Sequence, residues 1–516
     1  MSEFDATLFR ENLPEFKEKT LAFYNGELAK NDYKGFSGKF GSYAQKDGKA
    51  SMLRLRMSAG DVSKDKLNFV CDAIEKNNVD LVHFTTCQCI QLHNLQPEQV
   101  FKIMEDAIDH DIITYGGGGD YPRNVMCSSL SGVEKGEYFD VQPYAKAAAS
   151  FLLGFIDAPK MPRKLKVGFS SSPANETHAT FRDLGFAANE DGTFDVYCCG
   201  GLGNNPKLGV KVDEHIDPSS ILYYIEAMIN TFKKYGNYQN RGKARTRYMV
   251  EAVGGEDAFK KAFHEEFEAV KAEKELPLEI ETAKITKEGD GTVLEEDFQI
   301  IEQKQPGLYA LKWHPQGGSP KPEMLLALNK AMQDMDQVSM RIAPDETAYI
   351  INLTGSEAKK LQKLLASDNA ANDVQTSISC IGSSICQVGV RDSQALLKAI
   401  LTAVKEAGLS DTALPKLHIS GCPSSCGTHQ AGTLSFRGGI KMVDKKPVPA
   451  FVLFTDGIEE QGKEALAKEV GAIAINDIPS FVVELGKKVD ASGLSFAKWK
   501  EENPNGVVDT AASYLG

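Results

Sequence analysis

Four of the ten cysteines in this chain stand as two local pairs, Cys380-x5-Cys386 and Cys422-x3-Cys426. Thiolates are soft ligands that suit iron–sulfur clusters or zinc, and four of them can close a tetrahedral set. Structural zinc pairs are usually spaced by two to four residues, so the wider gap in the first pair favours a cluster. A zinc site and four unrelated buried thiols are the alternatives. Gly382, Ser383, Ser384, Gly421, Pro423, Ser424, Ser425 and Gly427 flank the cysteines. Small residues of this kind let backbone amides approach cluster sulfurs.

A second constellation is cationic. Arg54 and Arg56 lie in the apolar run Met52-Leu-Arg-Leu-Arg-Met57 and share one face of a strand, where side chains alternate. Lys164 and Lys166 alternate in the same way in Pro162-Arg-Lys-Leu-Lys-Val167, beside Arg163, and Arg123 follows a glycine run at 116–119. Buried cations demand an anion, so these positions point to an anionic ligand held inside. Lysines protecting a sheet edge are the alternative.

The elements that must position these residues come from a duplication. Residues 53–95 and 311–353 align without a gap at an offset of 258. Leu53, Gly60, Leu67, Ala73 and Leu95 match Leu311, Gly318, Leu325, Ala331 and Leu353. Each copy reads strand, glycine turn, helix, strand, strand, helix, with the helix marked by Leu67, Val70, Ala73 and Ile74. Downstream, Arg123-Asn-Val-Met-Cys127 corresponds to Thr376-Ser-Ile-Ser-Cys380, and Ser170-Ser-Ser-Pro173 to Ser420-Gly-Cys-Pro423. At that point Ser172 stands for Cys422 and Glu176 for Cys426. Only the second copy therefore keeps the thiols of a metal centre.

Composition sets the outer limits. Against 58 Lys+Arg stand 71 Asp+Glu, a net charge of −13, which disfavours sequence-independent binding to nucleic acid or anionic membrane. Apolar residues make up 42% and charged residues 25%, as in a soluble globular protein, and the cysteines are too sparse for a disulfide scaffold. The start, Met1-Ser-Glu-Phe-Asp5, does not read as a secretory signal, and the apolar stretch 147–156 ends at Asp157, too short to span a bilayer. A reducing, cytoplasmic setting is expected.

Taken together, these features resemble the sirohaem-dependent sulfite and nitrite reductases over nearly the whole chain. The resemblance runs through Phe40-Gly-Ser-Tyr-Ala-Gln45, the Arg54 strand, Thr85-Thr-Cys-Gln-Cys-Ile-Gln-Leu-His93 and Arg123-Asn-Val-Met-Cys127. It continues through Pro162-Arg-Lys-Leu-Lys166, Gly200-Gly-Leu-Gly203 and Tyr235-Gly-Asn-Tyr-Gln-Asn-Arg-Gly-Lys-Ala-Arg245 to both cysteine pairs.

The resemblance implies a [4Fe–4S] cluster on Cys380, Cys386, Cys422 and Cys426, with Cys426 also the axial ligand of the sirohaem iron. It places Arg54, Arg123, Lys164 and Lys166 around a small oxyanion, the arginines orienting it and the lysines donating protons. Arg163, Thr85, Gln88 and Gln91 fall on segments that meet sirohaem carboxylates. The expected reaction is the six-electron reduction of sulfite to sulfide, since Arg123-Asn-Val-Met-Cys-Ser-Ser is closer to the sulfite-reducing members. Nitrite reduction to ammonia is the alternative, and a non-catalytic tetrapyrrole or electron-transfer subunit is a lower one.

One departure stands out. Where Cys87 stands, the family usually has an arginine that helps hold a sirohaem carboxylate, so a modified tetrapyrrole or a compensating cation is implied. Cys87 and Cys89 are expected on one strand face as packed thiols, a second metal site being the alternative, and Cys198 and Cys199 as structural. His93, His178, His418 and His429 read as structural polar residues. No nicotinamide or flavin unit is apparent, so electrons should come from a separate ferredoxin or flavoprotein, with Lys34, Lys39 and Lys46 as a basic docking surface.

The expected fold is α+β, a pseudo-twofold nitrite/sulfite reductase arrangement of two ferredoxin-like half-domains and two mixed α/β lobes. The boundaries read as a helical arm at 1–40, a first half-domain at 41–120 and a first sirohaem and substrate lobe at 121–295. A second half-domain follows at 296–370 and the cluster lobe at 371–516.

Overall fold

The computed structural model describes residues 6–156, 160–278, 280, 282 and 284–515; residues 1–5 and Asp157, used above, lie outside them. Two helices, Thr7–Tyr24 and Lys30–Ser37, lead into the first sheet. It consists of β1 (Ser42–Ala44), β2 (Ser51–Arg56), β4 (Val82–Phe84) and β5 (Cys89–Leu95) in the order β1-β2-β5-β4. Strand β3 (Asp61–Val62) leaves this sheet and joins another, described below. A second sheet runs β10-β9-β8-β7-β6, built from β6 (Met126–Cys127), β7 (Val167–Ser170), β8 (Leu184–Ala188), β9 (Phe194–Cys198) and β10 (Val210–Ile216).

The second half repeats this plan. Strands β11 (Ile300–Glu302), β12 (Leu308–Trp313), β13 (Ser339–Ile342) and β14 (Ala348–Thr354) form the order β11-β12-β14-β13, and β3 closes the edge by pairing Met340 with Val62. Strands β15 (Ile378–Ser379), β16 (Leu417–Ser420), β17 (Leu434–Val443), β18 (Lys446–Thr455) and β19 (Lys468–Ala474) follow in sequential order. Both five-stranded lobes have two parallel pairs and then two antiparallel pairs.

The duplication holds at the level of register. Arg54 faces Gln91 across β2 and β5, and Lys312 faces Tyr349 across β12 and β14, each residue shifted by the same 258. Even the irregularity recurs, between Ser51 and Leu53 in one copy and Tyr309 and Leu311 in the other. A one-residue slip would turn every buried side chain to the wrong face, so apolar residues on these strands lock the register. One core unites the two half-domains: Leu53, Leu67, Ile90 and Leu92 pack in the same cluster as Leu311, Leu325, Ile350 and Trp313. Each five-stranded lobe has its own core. The architecture is the expected duplicated α+β fold.

Two polar ties show how the copies diverged. Gln88 accepts the Cys127 N–H at 2.8 Å, and Glu346, its counterpart, accepts the Ser379 N–H at 2.8 Å. Each pins a half-domain to the first strand of its lobe. The left-handed positions recur as well: Asn175 and His178 in one copy, Ser425 and Thr428 in the other.

Candidate functional site: four thiols facing a nest of cations

The cysteine pairs sit on two loops at one end of the second lobe. Cys380 follows β15, and Cys422 and Cys426 lie in the loop after β16. The loops interlock through Gly421: its carbonyl accepts the N–H groups of Val390 (3.1 Å) and Arg391 (2.9 Å), and its N–H donates to Cys380 Sγ at 3.2 Å. A Cβ on Gly421 would lie 2.5 Å from the Arg391 carbonyl oxygen, and one on Gly427 2.1 Å from that of Ile419. Glycine is required at both positions because backbone passes where a side chain would be. Ser393 donates to the Cys380 carbonyl at 2.6 Å.

The thiols face one another. Cys422 and Cys386 both act electrostatically on Cys426, which in turn acts on Cys380. Burial and Cys426 push the Cys380 thiol up to about 12. Cys426 reaches solvent although protein surrounds it on most sides, as at the floor of a cleft. Among the described residues no three His, Cys, Asp or Glu side chains gather closely enough to hold a single metal ion. Four thiols in two local pairs match the ligand number of an iron–sulfur cluster.

The first half-domain and the first lobe together supply the facing wall. Arg54, on β2, and Arg123 both donate to the Gly117 carbonyl, Arg123 through Nη1 at 3.0 Å, and Arg123 Nη2 donates to the Gly119 carbonyl at 2.8 Å. The glycine run thus forms a cradle that brings two guanidiniums together. A Cβ on Gly118 would lie 2.3 Å from the Tyr43 hydroxyl, so the run must stay small. Lys164 and Lys166 precede β7, with the Lys166 N–H held by Asp183 Oδ2 at 2.9 Å. Burial, with Arg123, Lys166 and Arg245 close by, drives the Lys164 ammonium well below the ordinary lysine range. Lys164 has no carboxylate or hydrogen-bond partner among the described residues. Burial brings Arg123 down to about 10, and its Nε is buried without a partner.

Other expected residues are engaged within the protein. Gln91, with its amide oxygen toward Arg54, accepts from Arg54 Nη2 at 2.6 Å and donates to His93. Thr85 closes a tight turn by accepting the Cys89 N–H at 3.1 Å, and Gln88 donates to the Cys127 and Ile342 carbonyls. Arg163 pairs with Asp120 at 2.6 Å, which also binds Arg241 at 2.8 Å. Arg56 donates to the Tyr115 and Arg123 carbonyls, so it supports the cradle. Cys87 lies in the 85–89 turn rather than on the strand with Cys89, which corrects the expectation of a shared strand face. Burial opposes a thiolate there, but Lys166, Arg182 and Arg54 nearby bring the thiol down to about 6. Cys198 and Cys199 are buried thiols pushed well up by desolvation.

Several residues of this site were not singled out from the sequence. Thr86 donates to the Cys426 carbonyl at 2.8 Å and ties the turn to the cluster loop. Asn124 donates to the carbonyls of Met57, Cys87 and Gln88. Arg245 pairs with Asp183 at 2.8 Å and keeps a buried Nε without a partner, as Arg247 does Nη1. The turn at 200–203 lies against the cluster loop, where Gln430 bonds Gly203 in both directions. Thr86, Asn124 and Arg245 lie in segments that carry the family resemblance, but nothing in those segments gave them a role of their own.

In the duplicated half the equivalent of Cys87 is Asp345, and that of Lys166 is Lys416; there the two pair directly. The equivalent of Cys426, Glu176, is half-buried and accepts from the Ser129 N–H and hydroxyl. The pseudo-equivalent site, formed by Asp345 and Lys416 of the second half and Glu176 of the first, thus answers its charges within the chain. At the site beside Cys426, Lys164 has no carboxylate to answer it.

Comparison with known proteins follows this division. The family model described as nitrite/sulfite reductase ferredoxin-like half domain matches residues 43–109, and the one described as nitrite and sulphite reductase 4Fe-4S domain matches residues 118–271. The ferredoxin–nitrite reductase of Synechococcus elongatus is 24% identical, covering 84% of this chain and 85% of that protein. The sulfite reductase [NADPH] hemoprotein beta-component of Geobacillus kaustophilus is 23% identical, covering 75% and 74%. The solved structure of the Mycobacterium tuberculosis NirA protein superposes with a TM-score of 0.76 at 20% identity, covering 92% of this chain and 90% of that one.

The chain carries two domains of the nitrite and sulfite reductase family.

Its 4Fe-4S domain match falls on the first lobe, which carries Arg123, Lys164 and Lys166, while the four thiols lie in the second. The family's cofactors, a [4Fe–4S] cluster and sirohaem, fit what the residues offer. The four thiols converge for the cluster. The unanswered cations and the partnerless buried nitrogens of Arg123, Arg245 and Arg247 fit a polycarboxylate. Among the described residues no helix is long and apolar enough to cross a membrane.

Proposed function

We propose that this protein reduces sulfite to sulfide with six electrons, at a sirohaem coupled to a [4Fe–4S] cluster. The observation that carries the reading is the meeting of Arg54, Arg123, Lys164 and Lys166 beside Cys426, with no carboxylate to answer Lys164. Cys380, Cys386, Cys422 and Cys426 would hold the cluster, and Cys426 would be shared with the tetrapyrrole iron. When bound, the metal pair supplies electron storage and transfer.

The chain's own residues do the rest. Arg54 and Arg123, fixed on the Gly117 carbonyl, orient the oxyanion with charge-assisted hydrogen bonds. Lys164 and Lys166 deliver protons from Nζ as each oxygen leaves as water. Thr85, Gln88, Gln91 and Arg163 shape and brace the wall of the tetrapyrrole pocket.

Sulfite is favoured by the run Arg123-Asn-Val-Met-Cys-Ser-Ser and its likeness to sulfite-reducing members. Nitrite reduction to ammonia is the second reading, supported by the likeness to the Synechococcus enzyme. Electrons come from a separate ferredoxin or flavoprotein. Lys46 supports docking near the cluster: its N–H donates to the Ile385 carbonyl and its Nζ to that of Ser383, on the loop that carries Cys386. The test is reduction of each anion with a chemical electron donor. Sulfide formed in stoichiometric amount supports the sulfite assignment, and ammonia from nitrite with negligible sulfide from sulfite overturns it.

A further inference from the structure

Arg182 enters the site from the segment just before β8 and is 6% exposed. Its Nε donates to the Thr177 carbonyl at 2.5 Å, and its Nη2 meets His178 Nδ1 at 3.3 Å. Its Nη1 has no partner among the described residues. The two carboxylates nearby are already committed. Asp183 serves Arg245, Thr246 and the Lys166 N–H, and Glu459 serves His178 at 2.6 Å. The remaining group of opposite character is the Cys87 thiol.

The duplication sharpens the point. At the positions equivalent to Cys87, Lys166 and Arg182 the second half has Asp345, Lys416 and Gly432. There one carboxylate answers one lysine. No side chain fits at Gly432, because a Cβ would lie 2.6 Å from the His418 ring. The first half instead has two cations around a short thiol. A buried guanidinium left without a carboxylate calls for an anion from outside the chain. Cys87 is too short to fill the space that a long basic side chain would take at the same turn.

We propose that Arg182 supplies, from the neighbouring strand, the guanidinium that holds a sirohaem carboxylate beside Cys87. The chain has moved this cation from the 85–89 turn to the start of β8. The inference rests on the tetrapyrrole reading above.

The test uses the full-length protein purified from cells that make sirohaem, measuring tetrapyrrole and iron per chain together with the melting temperature. R182Q is expected to retain about tenfold less tetrapyrrole, the loss of one charge-assisted contact. C87R/R182Q returns the guanidinium to the turn and is expected to restore retention to within about twofold of the parent. C87S is expected to retain tetrapyrrole as the parent does. Because Arg182 also braces Thr177, R182K separates charge from scaffold: it should retain more tetrapyrrole than R182Q at a similar melting temperature. Full retention by R182Q, equal loss in R182K and R182Q, or failure of C87R/R182Q to restore retention would each overturn the proposal. Loss in C87S would do the same, by making the thiol the holding group. A parent protein with no tetrapyrrole would overturn the functional reading, and this inference with it.

Discussion

Replacing Lys164 by methionine should move stability and function in opposite directions. Lys164 is a part-buried ammonium among Arg123, Lys166 and Arg245, with no carboxylate beside it. In protein prepared without tetrapyrrole its charge is desolvated and repelled. Methionine keeps most of the volume and removes the charge. Exchanging poorly compensated buried charge for a packed apolar chain is typically stabilising by about 1–4 kcal/mol, a rise of a few degrees in melting temperature. The sign can be checked with pH. A lysine whose folded-state pKa is depressed costs stability while the unfolded chain binds the extra proton. Parent stability should therefore rise as pH climbs from that depressed value toward the ordinary lysine value near 10.5. Lys164→Met should flatten this rise. In the complete enzyme the same change removes an anion contact and a proton donor, and sulfite turnover should fall about 10²- to 10⁴-fold. The assays are thermal melts of the tetrapyrrole-free protein across pH and steady-state sulfide production. A variant that melts below the parent, or that keeps turnover within about tenfold of it, would refute the reasoning.

Three further outcomes follow from the same geometry. Cys386→Ser should lose most cluster iron without taking up zinc, measured by metal analysis. Gly427→Ala puts a Cβ 2.1 Å from the Ile419 carbonyl oxygen, so it should destabilise by about 1–3 kcal/mol and lower cluster retention in iron assays. Asp183→Asn breaks the contact with Arg245 and should cost about 3–5 kcal/mol in denaturant melts. Burial raises the Asp183 pKa, but Arg245 and Thr246 pull it below the usual carboxylate value. Its stabilisation is thus present above the unfolded-state pKa and lost as pH falls through the depressed one, a slope that the variant should lack.

Much of the fold was legible because the duplication was legible. The offset that matched Leu53 with Leu311 is the register offset that pairs Arg54 with Gln91 and Lys312 with Tyr349. The cysteine pairs and the alternating lysines were visible as local spacing. What escaped depends on contacts between distant segments. Strand β3 closing the sheet of the other half is a tertiary pairing that its two residues could not announce. Arg56 shares a strand with Arg54, yet it braces carbonyls while its neighbour helps shape the open site. Arg182 lies in an unremarkable sequence context and became significant once Asp183 and Glu459 proved to be occupied.

The central claim is best tested by the visible absorption spectrum of the purified protein together with its metal content. Sirohaem bands and about five irons per tetrapyrrole are expected, four in the cluster and one in the ring. A colourless protein holding zinc would contradict it.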